Sequence, residues 1–281
     1  MSSGALFDGN GLRPGLYDAS VACLDPPMTV TPFDGTVDAM TAVMATARAR
    51  DDRMGEFAAM YAAVTRRVRG LAAQGSFADS ERMAGFVDLF AARFLEAVRA
   101  RDEGRPVTRS WSVAFSASGR WRTGVLRNLL LGMTAHIGLD LGIVAAEVAT
   151  GPTGHGLDAM RADFDSINAV LASLVPAVEN AVSELSPAIG LLDRAGGTAD
   201  AFAIARVINV ARDIAWANAN ELAPLDPDSR AQAIDHLDEE VAERARLIEN
   251  PGFVMSSVFL PIRLMERRSL GDSMDVLGSI A

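Results

Sequence analysis

Residues 129–149 read LLLGMTAHIGLDLGIVAAEVA, the most apolar run in the chain. Three ionisable residues interrupt it: His136, Asp140 and Glu147. On an α-helix, at about 100° per residue, Asp140 lies roughly 40° from His136 and Glu147 roughly 20° from it. The three share one narrow stripe, and Leu, Ile, Val, Ala and Gly fill the other faces. A helix that is apolar nearly all round is a buried one. A buried carboxylate needs compensation, so the stripe is expected to face a partner side chain, a metal or a cavity. The run just reaches the ~20 residues that span a bilayer. His136 and Asp140 near its middle favour a core helix and argue against a membrane span.

Around this run the chain reads as helices. Gly, Pro, Asp and Ser dominate residues 1–35, expected to form an irregular arm. Helical spacing appears at 36–50, 55–73 and from about Asp79 or Ser80 to Arg101. A central helix is expected over about 121–150, closed by the glycine-rich turn GPTGHG at 151–156. Residues 157–194 read as helical but interrupted at Pro176 and Pro187. Further helices are expected over 198–222, 230–249 and 253–268, followed by a loosely held tail at 269–281. No strand-like alternation and no internal repeat is visible. The expectation is all-α: one multi-helix bundle domain, residues 36–268, built around a buried central helix.

Composition bounds the function. Of 281 residues, 49% are hydrophobic, enough for a sizeable core. The 26 basic residues are all arginine, which excludes a Schiff-base lysine and a P-loop lysine. A net charge of −10 argues against nucleic acid as a partner. Cys23 is the one cysteine, so an intrachain disulfide and a multi-cysteine zinc site are excluded. The N-terminal MSSGALFDGNGLRPG has neither a basic nor an apolar region of the signal-peptide kind. The chain is expected to be cytoplasmic, and a homodimer is left open.

His136 and Asp140 form an i, i+4 pair whose side chains project together. Such a pair can bind a divalent metal when other residues add ligands, or act as a general base oriented by its carboxylate. It can equally be a satisfied structural pair. Asp163 and Asp165, in RADFDSIN, follow the turn at a depth similar to Asp140. The catalytic set is therefore His136, Asp140 and Asp163, and the metal set, if one divalent ion binds, adds Asp165. Glu147 lies about 16 Å along the axis from His136 and is expected to pair with an arginine. On the 198–222 helix, Arg206, Asn209, Asp213 and Asn220 share one stripe, either solvated or lining the same cavity. Asn218 falls on the apolar side and would need a partner if buried. Arg212 can clamp a carboxylate or neutralise Asp140 or Glu147. Arg212, Asp213, Trp216, Asn168 and Met133 are the expected substrate contacts. His155, in GPTGHGL, is expected on a mobile loop, the alternative being the mouth of a cavity, and His236 is expected to be exposed.

At MTAHIGLDLGIV the chain resembles an uncharacterised family of helical bacterial proteins, common in actinobacteria, with an A-H-I-x-x-D-L motif. The likeness extends to DFDSINAVL, ARDIAWANANEL, LIENPG and the W-x-x-A-F of Trp111 to Phe115. It departs at Thr134 and Gly138, where the pattern suggests Asn. The resemblance implies an all-helical domain and points at His136, Asp140 and Asp163; it brings no known reaction. Separately, Asp51, Asp52 and Glu56 in DDRMGE resemble the aspartate-rich diphosphate–Mg²⁺ motif of isoprenoid synthases. Three functions follow as expectations. The first is an enzyme acting on a largely hydrophobic small molecule of the specialised-metabolite type, in an internal pocket lined by Met, Leu, Val and the three Trp. The second is a non-catalytic binder of an apolar ligand, and the third an isoprenoid-type Mg²⁺ enzyme.

Overall fold

The computed structural model describes residues 34–152, 155–187, 199–250, 263–266 and 269–280. Among these there are ten helices and no strand. They are α1 (Asp34–Arg50), α2 (Met54–Ala73), α3 (Ser80–Asp102), α4 (Arg109–Ser118), α5 (Val125–Ala135), α6 (Leu141–Thr150), α7 (Leu157–Leu185), α8 (Ala199–Leu222), α9 (Pro227–Glu249) and α10 (Leu270–Gly278). Between α5 and α6 lies a π-helical turn, His136–Asp140. The expected arm up to residue 33, Cys23 within it, and most of the expected 253–268 helix fall outside the described residues.

α5, the π turn and α6 make one unbroken rod, Val125–Thr150, and α2, α3, α4, α7, α8 and α9 all pack against it. This is the buried central helix. By length and composition alone, this rod and α7 could each cross a membrane, but most of the rod's apolar window is covered by protein. Glycines set how closely the neighbours approach. A Cβ on Gly132 would stand 2.5 Å from the Phe57 ring of α2, and one on Gly142 would stand 2.8 Å from the Ala215 carbonyl of α8. Two core clusters flank the π turn. One contains Phe57, Phe94, Trp111 and Leu131, the other Phe86, Leu139, Phe164 and Trp216. Phe90 of α3 packs against both.

Several boundaries differ from the sequence reading. The central helix starts at Val125, because Gly124 is extended and Val125 N donates to Glu266 Oε1 at 3.1 Å. α7 runs through Pro176, which lies on the exposed side, so the carbonyl it strands can bond to water. The expected loose tail instead forms α10, capped by a Ser269–Asp272 box. Its stripe Leu270, Met274 and Leu277 has helical spacing and is buried against α2, α1 and α7.

Candidate functional site

The site grows out of the π turn, a feature in which one extra residue is accommodated and which recurs at functional sites. Asp140 is 1% exposed and accepts three hydrogen bonds. Arg93 Nε donates to Oδ1 at 2.9 Å, Trp111 Nε1 to Oδ2 at 2.9 Å, and His136 Nδ1 to Oδ2 at 3.1 Å. Three helices thus converge on one carboxylate: α3 with Arg93, α4 with Trp111, and the rod itself. Burial pushes the Asp140 carboxyl upward, but Arg93 and the His136 bond outweigh it and hold the group below the usual carboxylate range. Burial moves His136 the opposite way, below the usual imidazole value; Arg93 adds to this, and the Asp140 bond only partly offsets it.

A neutral imidazole beside an ionised carboxylate places its proton on Nδ1, the tautomer this bonding pattern assigns. Nε2 then carries a lone pair, and it is buried with no hydrogen-bond partner. The ring around it is held by aromatics. Phe90 stacks on His136 at 3.6 Å between centroids and 7° between planes. Tyr61 meets it edge-on at 4.7 Å, and Trp111, Phe57 and Phe94 stand at 6.0, 6.1 and 6.2 Å. Tyr61 Oη is also buried without a partner. Burial raises its phenol well above the ordinary tyrosine value, and Asp140 and Asp88 raise it further, so it stays a neutral donor. Arg93 connects this interior to the surface: its side chain is 29% exposed, and Nη1 lies 4.0 Å from Glu147. Burial pushes the Glu147 carboxyl upward, partly countered by Arg93 and Arg230.

Asp163 does not join this group. Its oxygens accept from Ala78 N at 2.7 Å, Asp79 N at 3.1 Å and Arg82 Nη2 at 3.3 Å, which ties α7 to the α2–α3 connection. Asp165 pairs with Arg161 at 2.7 Å. The similar depth of Asp140 and Asp163 ignored rotation about the helix axis: α7 packs more on α8 than on α6. Among the described residues no group of three or more His, Cys, Asp or Glu is placed to hold a metal. The expected set His136, Asp140, Asp163 and Asp165 is therefore dispersed.

The α8 residues assemble elsewhere. Arg212 is buried, donates through Nε to Asn168 Oδ1 and through Nη2 to the Phe164 carbonyl at 2.7 Å, and lies over the Phe164 ring. Burial lowers it to about 10 despite Asp165 and Asp213 nearby. Trp216 packs on Phe164 and carries Arg161 over its ring; Arg161 also reaches Asp213 at 3.2 Å. Arg212, Asn168, Asp213 and Trp216 thus form a seam between α7 and α8. Arg212 does not neutralise Asp140 or Glu147; Arg93 does. Met133 is half-buried on α5 and packs on the first core cluster. Asn218 Nδ2 is buried without a partner. His155 and His236 are exposed.

The DDRMGE carboxylates point apart. Asp51 sits at positive φ in the α1–α2 turn, and Asp52 accepts from Met54 N and pairs with Arg101. Glu56 turns inward to Arg53 and Asn128, and burial pushes it up to about 7. The three tryptophans do not line one cavity: Trp121 is exposed, and Trp111 and Trp216 belong to different core clusters. A cavity of about 270 Å³ opens between the end of α2 and α7, lined by Leu71, Ser76, Phe77, Ser166, Ala169, Val170 and Ser173. It shares no residue with the His136 site. The residues not anticipated as site members are Tyr61, Phe90 and Arg93. Phe90 and Arg93 lie three apart on α3, an arginine one turn from an aromatic on the apolar face. Gly138 packs against Val241, where an added Cβ would stand 3.2 Å from the valine side chain. Thr134 bonds back to its own helix at the Leu130 carbonyl.

A family model described as a family of unknown function, DUF5995, matches residues 33–251, and the chain belongs to that family. No curated protein and no solved structure matches the chain.

Proposed function

For a chain of this family, we propose an enzyme that acts on a largely hydrophobic small molecule, with His136 as a metal-free general base. The observation that carries this reading is the buried lone pair on His136 Nε2, whose ring is fixed by Asp140 through Nδ1. A base needs a neutral form at working pH and a partner that steadies the cation once the proton arrives. Burial and Arg93 supply the first, and the ionised Asp140 the second. The aromatic surroundings favour an apolar substrate body. Cytoplasmic specialised-metabolite chemistry fits the single cysteine and the acidic charge. The metal-assisted version draws less support, because among the described residues no group of three or more His, Cys, Asp or Glu is placed to hold a metal. A non-catalytic binder of apolar ligands is the second reading, favoured by the groove between α2 and α7.

The test is a thermal-shift screen of neutral apolar metabolites, with each binder followed by mass spectrometry and chromatography. The wild type is expected to convert a binder, and H136Q to bind it while losing turnover by about 100-fold or more. Binders held equally by wild type and H136Q, and never converted, would support the second reading in its place.

A further inference from the structure

Two buried polar atoms without partners belong to adjacent rings, His136 Nε2 and Tyr61 Oη, with ring centroids 4.7 Å apart. Around them the other polar valences are used. Both Asp140 oxygens and His136 Nδ1 are bonded, and so is the Trp111 indole N–H. A buried polar group left without a partner loses its hydration for nothing in return, so two of them on adjacent rings are an unfavourable arrangement for packing alone. Their chemistry is complementary. Nε2 offers a lone pair and the phenol offers a proton.

We propose that His136 Nε2 and Tyr61 Oη form a two-point site for the hydroxyl group of a neutral aromatic or apolar molecule. One hydroxyl oxygen satisfies both at once, donating its proton to Nε2 and accepting from the Tyr61 O–H. An anion does not fit, because a neutral Nε2 presents a lone pair to it. An ammonium ion does not fit either, because Arg93 already balances the charge of Asp140. Phe57, Phe90 and Phe94 pack around the His136 ring, so the surroundings a bound molecule would meet there are aromatic. This assignment rests on the general-base reading and names its substrate class: the hydroxyl proton is the one His136 is placed to take, and Tyr61 is the donor placed to hold the oxygen left behind.

Phenol and toluene are the probes, being alike in shape and differing in the hydroxyl. Their dissociation constants are measured by NMR titration of nitrogen-15 histidine-labelled wild type and Y61F. Phenol is expected to bind the wild type roughly tenfold more tightly than toluene and to move the His136 Nε2 resonance. Y61F is expected to lose most of that preference while keeping its toluene affinity and its folded stability, since it removes an unpartnered hydroxyl. Equal affinity for the two probes, no phenol binding, a preference intact in Y61F, or an unmoved Nε2 resonance that signals a bound water only would each overturn the assignment. The ligand-free spectrum separates the two levels. A proton on Nδ1 with no phenol preference removes this site alone, whereas a proton on Nε2 removes the general-base reading.

Discussion

His136 owes its chemistry to three neighbours, and Arg93 is the one that can be changed with the least disturbance to the core. Its guanidinium occupies Asp140 Oδ1, so that Asp140 does not serve His136 alone. Removing a cation near an imidazole favours the protonated ring, and it frees Asp140 to pair with that ring more fully. R93M is therefore expected to raise the His136 pKa, read from the imidazole resonances across a pH series, at a stability cost of about 1–3 kcal/mol. The groups facing His136 that bear on this titration are Asp140, Arg93 and Tyr61, with Asp88 and Glu147 further out. An unchanged His136 titration in a folded R93M would show that Arg93 only packs. The His136–Asp140 pair itself was legible from its spacing on an apolar helix. Arg93 and Tyr61 were not, because an arginine beside an apolar face and a tyrosine within one look like ordinary surface and core residues until the helices are assembled.

The central rod is held by close backbone approach as much as by side chains. Gly142 sits against the Ala215 carbonyl, where no side-chain rotation can relieve a Cβ. G142V is expected to lower the unfolding free energy by about 1–3 kcal/mol, measured by denaturant titration. The contrast is Gly85, exposed in mid-helix on α3 with open space around it. There G85A is expected to add about 0.5–1 kcal/mol, since alanine loses less backbone entropy in a helix. Comparable effects at the two glycines would contradict this picture. Element type was readable because 3.6-residue periodicity reports burial of one face, as in Phe86, Phe90 and Phe94 on α3. The π turn was not readable, since its extra residue leaves the apolar pattern of 129–149 unbroken. The relative rotation of α7, which sends Asp163 to the α2–α3 connection, depends on packing against α8 that no local pattern encodes.

Four chain segments meet at a second buried polar cluster, at the N-terminal end of the central rod. Glu56 pairs with Arg53 at 2.7 Å, and Glu266 accepts from Val125 N and Ser186 Oγ while pairing with Arg263 at 3.2 Å. Arg53 also reaches Glu266 at 3.5 Å. This joins α2, α5, the end of α7 and residues 263–266. Burial raises Glu56 from 4.5 to about 7, so the folded state binds its proton more tightly than the unfolded chain does. The stability from that proton is present at acid pH and is lost as pH rises from about 4.5 to about 7. Relative to E56Q, the wild type is expected to lose up to about 3 kcal/mol over that window, measured by unfolding at a series of pH values. A wild type that gains on E56Q as pH rises would mean that Arg53 and Asn128 dominate over burial. The all-helical architecture followed from composition and periodicity across the whole chain. This cluster did not, because DDRMGE reads as a surface acidic motif until Glu56 is seen to turn inward.

The protonation of His136 bears on all of this, and it can be read without knowing the substrate. Nitrogen-15 NMR of histidine-labelled protein at pH 7, assigned with H155A and H236A, reports which ring nitrogen carries the proton. Burial of the ring and its Nδ1 bond to Asp140 lead us to expect a neutral His136 with its proton on Nδ1, and D140N should disturb that signal and leave those of the other two histidines in place. A His136 charged at pH 7, or one protonated on Nε2, would contradict the base assigned to it.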